Sequence, residues 1–111
     1  MSENWFGDGT HRWNARTLWK AAEGLPSSRV PVAKLLAERG SRIESLGPLD
    51  LLDEMRRVQR ARLSFPLILT PDGFIADGWH RLLKAALRNL KFVRAVRLVK
   101  MPPPDGPDDG S

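Results

Sequence analysis

The sequence predicts one mixed α+β domain, and three observations carry that expectation. Apolar residues at helical spacing alternate along the chain with short apolar runs of strand length. Glycine and proline fall between those runs rather than inside them. The length of 111 residues suits a single core, and dividing it would leave neither half enough to bury.

The elements follow in order. Residues 1–13 set Gly7, Asp8 and Gly9 among Trp5, Phe6 and Trp13, which predicts an irregular arm anchored by its aromatics to the domain or to a protein partner. Asn14 is an N-cap for a helix through Glu23, with Leu18, Ala21 and Ala22 on one face and Gly24 as its stop. Arg29 to Val32 reads as a strand entering a helical turn at Lys34 to Arg39, ended by Gly40. After Pro48 a stronger helix is expected, capped by Asp50, with Asp53 in its first turn and Leu51, Leu52, Met55, Val58 and Leu63 at helical spacing. Arg56, Arg57, Arg60 and Arg62 crowd its later half, where cations suit the negative end of the helix dipole.

Pro66 to Thr70 is a compact apolar run, Thr70-Pro71-Asp72-Gly73 a turn, and Phe74-Ile75-Ala76 the returning strand. Asp77-Gly78 breaks it, and a helix from Trp79 to Asn89 presents Leu82, Leu83, Ala86, Leu87 and Leu90. Phe92 to Val99 alternates as a final strand, and residues 101–111 read as a disordered tail rich in proline, glycine and aspartate. The expected organisation is therefore an aromatic arm over 1–13, a domain over 14–100 and a tail over 101–111.

No apolar run approaches the roughly 20 residues that span a bilayer, so no membrane partner is expected. The first twenty residues lack the apolar stretch of a secretory signal, which places the expected location in the cytoplasm. With no cysteine, disulfides, thiolate metal sites and thiol nucleophiles are excluded, leaving His11 and His80 as imidazole ligands. A net charge of +5 and a pI near 10.4 point to an anionic partner. Between Gly78 and Pro104 there is no acidic residue, while Arg81, Lys84, Arg88, Lys91, Arg94, Arg97 and Lys100 all fall there. A solvated helix and strand face would account for the same run.

The segment Asp77-Gly78-Trp79-His80-Arg81 carries the chemistry. A helix N-terminus offers unpaired amides and partial positive charge to an anion, Gly78 lets a ligand approach, and His80, Arg81 and Lys84 can reach its phosphates. Asp77 has two readings, a helix N-cap or a group that binds Mg²⁺ or accepts a proton.

Phe74 to Arg81 followed by Lys84-Ala85 resembles the signature turn and helix of the ParB and sulfiredoxin superfamily, and the likeness extends over residues 14–99. The resemblance implies a small mixed sheet flanked by helices, in which Gly78, Trp79, His80, Arg81 and Lys84 grip the phosphates of a nucleotide: CTP in ParB partition proteins, ATP in sulfiredoxins, ADP or ATP in free-serine kinases. Trp79 stands where sulfiredoxins carry their cysteine, which removes sulfinic acid reduction. The ParB Gly-Glu-Arg-Arg segment is replaced by Gly78-Trp79-His80-Arg81, which counts against operator binding. The serine kinases match best through Asp77, Gly78, His80 and Arg81, and the glutamate they draw from earlier in the chain has Glu38 or Glu44 as its counterpart.

Three functions follow. One is a nucleotide-dependent phosphotransferase or NTPase with Asp77 and His80 catalytic and Mg²⁺ on Asp77. The second is a nucleic-acid-binding or nuclease module using Arg88, Lys91, Arg94 and Arg97. The third is an inert regulatory domain that docks a partner, or another copy of itself, through its aromatic arm. On the first reading, Arg81→Ala abolishes nucleotide binding and leaves the thermal midpoint nearly unchanged.

Overall fold

The computed structural model describes residues 5–37 and 47–108, so Glu38, Gly40 and Glu44 lie outside the described residues. The described elements run β1 (Trp5–Gly7), β2 (His11–Asn14), α1 (Ala15–Ala22), β3 (Ser27–Pro31), α2 (Val32–Ala37), α3 (Pro48–Arg60), β4 (Leu67–Leu69), β5 (Ile75–Asp77), α4 (Trp79–Leu87), β6 (Phe92–Arg97) and β7 (Gly106–Pro107). The fold class is α+β. A four-stranded mixed sheet has the order β3-β6-β4-β5, with β4 parallel to β6 and the other two pairs antiparallel. A second, three-stranded antiparallel sheet joins β1, β2 and β7.

Strand β4 explains how the layers assemble. Its three residues are all buried, and alternation sends Leu67 and Leu69 to one face and Ile68 to the other. Leu67 and Leu69 join Val32, Leu35, Trp79, Leu82 and Ala85 in the larger core, which α2 and α4 cover. Ile68 meets Leu18, Trp13 and Leu98 in a second core beneath α1 and the small sheet. A strand covered on both faces has no polar side, which is why this run is uniformly apolar.

Local signals act as their chemistry dictates. The Asn14 Oδ1 accepts from the Arg16 amide at 2.9 Å and starts α1. The β4–β5 turn closes with the Gly73 amide on the Thr70 carbonyl at 2.9 Å and Gly73 at φ 93°. Helix α4 ends as Asn89 turns left-handed at φ 59°, with Asn89 and Leu90 amides bonded to the Ala86 and Ala85 carbonyls.

Three expectations are corrected. Gly47, not Asp50, is the N-cap of α3; Pro48 takes the first helical position, which puts Asp50 inside the first turn. Of the apolar residues placed on α3, only Val58 is buried, while Leu51, Leu52 and Met55 are exposed.

The third correction concerns both ends of the chain. The arm is a hairpin whose Trp13 is 4% exposed, and its indole donates to the Pro102 carbonyl at 2.7 Å. Residues 101–108 are held in place: the Asp105 carboxylate accepts from the Asn14 amide at 2.8 Å and the Thr17 hydroxyl at 3.1 Å, and Asp108 accepts from the Gly9 amide at 3.0 Å. Aspartate and proline gave this segment the composition of a tail, but the aspartates spend their charge on backbone donors of the hairpin. At the hairpin turn the His11 and Thr10 amides hold the Asp8 carboxyl below its ordinary value.

Candidate functional site

Helix α4 starts at Gly78, which sits at φ 106° with its α-carbon against Leu67. A Cβ there would lie 2.9 Å from the Leu67 Cγ and 3.2 Å from the Leu67 Cα. The backbone and the packing both demand glycine, whether or not a ligand approaches. No side chain caps this helix.

Asp77 therefore is not the cap that one of its two readings required. Its Oδ2 instead accepts from the Trp19 indole at 2.7 Å and lies 3.6 Å from the Arg81 guanidinium, tying α1 to the start of α4. An indole and a guanidinium therefore share one oxygen of this carboxylate, and these contacts orient the Asp77 side chain between α1 and α4.

The five residues expected to meet a phosphate turn in different directions. Trp79 is buried in the larger core. His80 Nε2 lies 2.8 Å from Glu54 Oε2 on α3, and both side chains are mostly covered. Lys84 donates to the carbonyls of Gln59 at 2.9 Å and Ala61 at 2.7 Å, so it closes the C-terminal end of α3 instead of waiting for an anion. Lys84→Met should cost about 1–2 kcal/mol by stripping these two carbonyls of a charged donor, read as a fall in the urea midpoint at constant slope.

Arg81 lines a cavity. Its Nη1 donates to the Pro66 carbonyl at 3.0 Å and its guanidinium sits 5.8 Å from the Phe65 ring centre. Both polar contacts it makes among the described residues use Nη1, which leaves Nε and Nη2 for a ligand. The cavity, about 560 Å³, has Trp19 and Phe65 among its walls and Ile68 and Val96 of the sheet in its lining, with Glu23, Ser27 and Arg81 as its polar groups. Trp19 is 48% exposed and Phe65 54%.

Of the four cations assigned to nucleic acid, Arg88 and Arg97 stand apart from Lys91 and Arg94. Arg97 donates through Nε to the Pro71 carbonyl at 2.7 Å, on the strand face that carries Val93 and Ala95. Arg94 points to the other face, and Arg88 sits at the end of α4. Lys91 joins Arg94 beside a cavity that Arg29 completes.

Sequence reasoning missed Trp19, Glu54 and Phe65. Trp19 carried a signal, as a large aromatic one residue off the apolar stripe of α1; Glu54 precedes the buried Val58 by one turn, a spacing that puts a carboxylate on the packed side of α3. Phe65 lies in the segment before β4, where only the path of the chain makes it a wall. No family model, curated protein or solved structure matches this chain.

Proposed function

We propose that the chain is a ParB/sulfiredoxin-like nucleotide-binding domain, with the base in the cleft between Trp19 and Phe65 and the phosphates on Arg81 at the uncapped first turn of α4. One observation carries the reading: Arg81 belongs to that turn and also lines the aromatic-walled cleft, so an apolar ring and an anionic group can be met by one ligand. The guanidinium offers the forked donors that phosphate oxygens match. The Glu54–His80 pair lies one residue away on α4, outside the residues that line the cleft, and suits a phosphotransferase or NTPase only as a carboxylate that fixes the tautomer of an imidazole able to move protons with its other nitrogen. Asp77 holds Trp19 and Arg81 in position for that ligand.

Calorimetry with ATP, ADP, CTP and GTP, with and without Mg²⁺, tests the reading. Saturable binding of at least one nucleotide is expected, weakened tenfold or more by Phe65→Ala and by Arg81→Lys, which keeps the charge but loses the fork. Heat absent for all four at millimolar concentration would overturn it. Arg81→Ala, expected from sequence to leave the thermal midpoint unchanged, should now lower it, because the side chain anchors the Pro66 carbonyl and neutralises Asp77.

A further inference from the structure

The second cavity lies at the β3 edge of the four-stranded sheet. Strand β3 pairs with β6 in a register that sets Arg29 directly opposite Arg94 and Pro31 opposite Phe92. Directly opposed residues of an antiparallel pair project from the same face with their Cβ atoms about 4.5–5.5 Å apart, and like charges there are destabilising. The face is the one turned away from the larger core, because Val93 and Ala95 of β6, and Val30 of β3, point the other way. Helix α1 covers this face over β4 and β5, leaving Arg29, Phe92 and Arg94 exposed at the edge.

Lys91 closes the arrangement. With Arg29, Phe92 and Arg94 it lines a cavity of about 510 Å³, and none of the three cations forms an ion pair among the described residues. The Arg29 guanidinium stacks 4.6 Å from the centre of the Phe92 ring, which is 44% exposed. Three cations without an ion pair among the described residues surround one hollow, two of them set opposite each other by strand register, an arrangement that an anion would relieve. A ring with a guanidinium plane stacked against it adds a flat stacking surface to the same hollow.

We propose that the Arg29–Arg94 rung, with Lys91 and Phe92, is a binding site for single-stranded nucleic acid: the cations hold consecutive phosphates and a base stacks on the Phe92–Arg29 platform. A small inorganic anion or an acidic peptide would use the charges and leave the aromatic idle. A flexible single strand can place both a phosphate and an unpaired base in one hollow, which a duplex with its bases paired inside cannot. The platform carries no hydrogen-bonding pattern for a base edge, so the site is tolerant of sequence. It is distinct from the Trp19–Phe65 cleft and stands whether or not that cleft binds a nucleotide.

Fluorescence anisotropy of a labelled oligothymidylate, titrated with the full chain over a salt series, is the test. Arg29, Phe92 and Arg94 are exposed, so their variants should fold, and unchanged circular dichroism verifies it. Binding should weaken roughly tenfold in Phe92→Ala and further in Arg29→Ala/Arg94→Ala. The log-affinity against log-salt slope of the double variant should be shallower by about 1.4, two phosphate contacts at about 0.7 each for a single strand. Arg56→Ala, which removes a charge from α3 on the other side of the sheet, sets the baseline for net charge alone. Four results would overturn the proposal: no binding at low salt, equal losses in Arg56→Ala and Arg29→Ala, full affinity in Phe92→Ala, or a duplex bound as tightly as the single strand with the same dependence on these residues.

Discussion

Trp13→Ala should lower the unfolding free energy by about 3–5 kcal/mol, the range for removing a large buried aromatic. The side chain is 4% exposed, packs with Leu18, Ile68 and Leu98, and faces Phe6 at 5.8 Å between ring centres. Its loss opens a hole between the small sheet and α1, and frees the Pro102 carbonyl that its indole satisfied. Trp13→Phe separates the two contributions, keeping most of the apolar contact while losing the hydrogen bond, and should cost markedly less. Chemical denaturation of both variants reads the difference directly. A Trp13→Ala chain with wild-type stability would return the hairpin to the role of a free docking arm, the role that deletion of residues 1–13 without loss of the domain would also restore. With Trp13 in the core, such a deletion should instead unfold much of the α1 side.

Gly78→Ala is the second large effect, expected at about 2–5 kcal/mol. A residue with a Cβ pays about 1–2 kcal/mol to hold the left-handed backbone found at φ 106°. Overpacking against Leu67 adds about 1–3 kcal/mol, because the contact at 3.2 Å is to a backbone atom that cannot rotate away. At about 4–8 °C per kcal/mol for a domain of this size, the thermal midpoint should fall by about 8 °C or more. Gly78→Ala combined with Leu67→Ala tests the cause. If the clash with the Leu67 side chain dominates, the double variant is less damaged than the two single losses added together; simple additivity assigns the cost to the backbone. Either way, the glycine of the Asp77-Gly78-Trp79-His80-Arg81 segment has a structural requirement that precedes any ligand.

That segment illustrates how far residue patterns reach. Gly78 as the break between β5 and α4 and the turn ahead of Phe74 were legible because each depends on a few neighbouring residues and on backbone geometry, whereas of the stripe read on α4 Leu82 is buried but Leu87 and Leu90 are exposed. What each polar side chain of the segment does was not legible. His80, Arg81 and Lys84 lie within five positions on one helix, yet one meets Glu54, one the Pro66 carbonyl and one the end of α3. Those partners lie 15 to 26 residues earlier in the chain, and a helix presents its successive side chains about 100° apart.

The same division holds for the whole protein. The order of helices and strands over residues 14–97, the single mixed α+β class and the excess of positive charge toward the C-terminal half were determined by the sequence itself, since they rest on local periodicity and composition. Tertiary structure alone decided that Trp13 and Pro102 meet, that Asp105 ties the last segment to α1, and that strand register sets Arg29 against Arg94 while Arg97 turns to the opposite face. A strand repeats every two residues, so a single step in register exchanges its faces, and only the pairing of β3 with β6 says which cations share a surface.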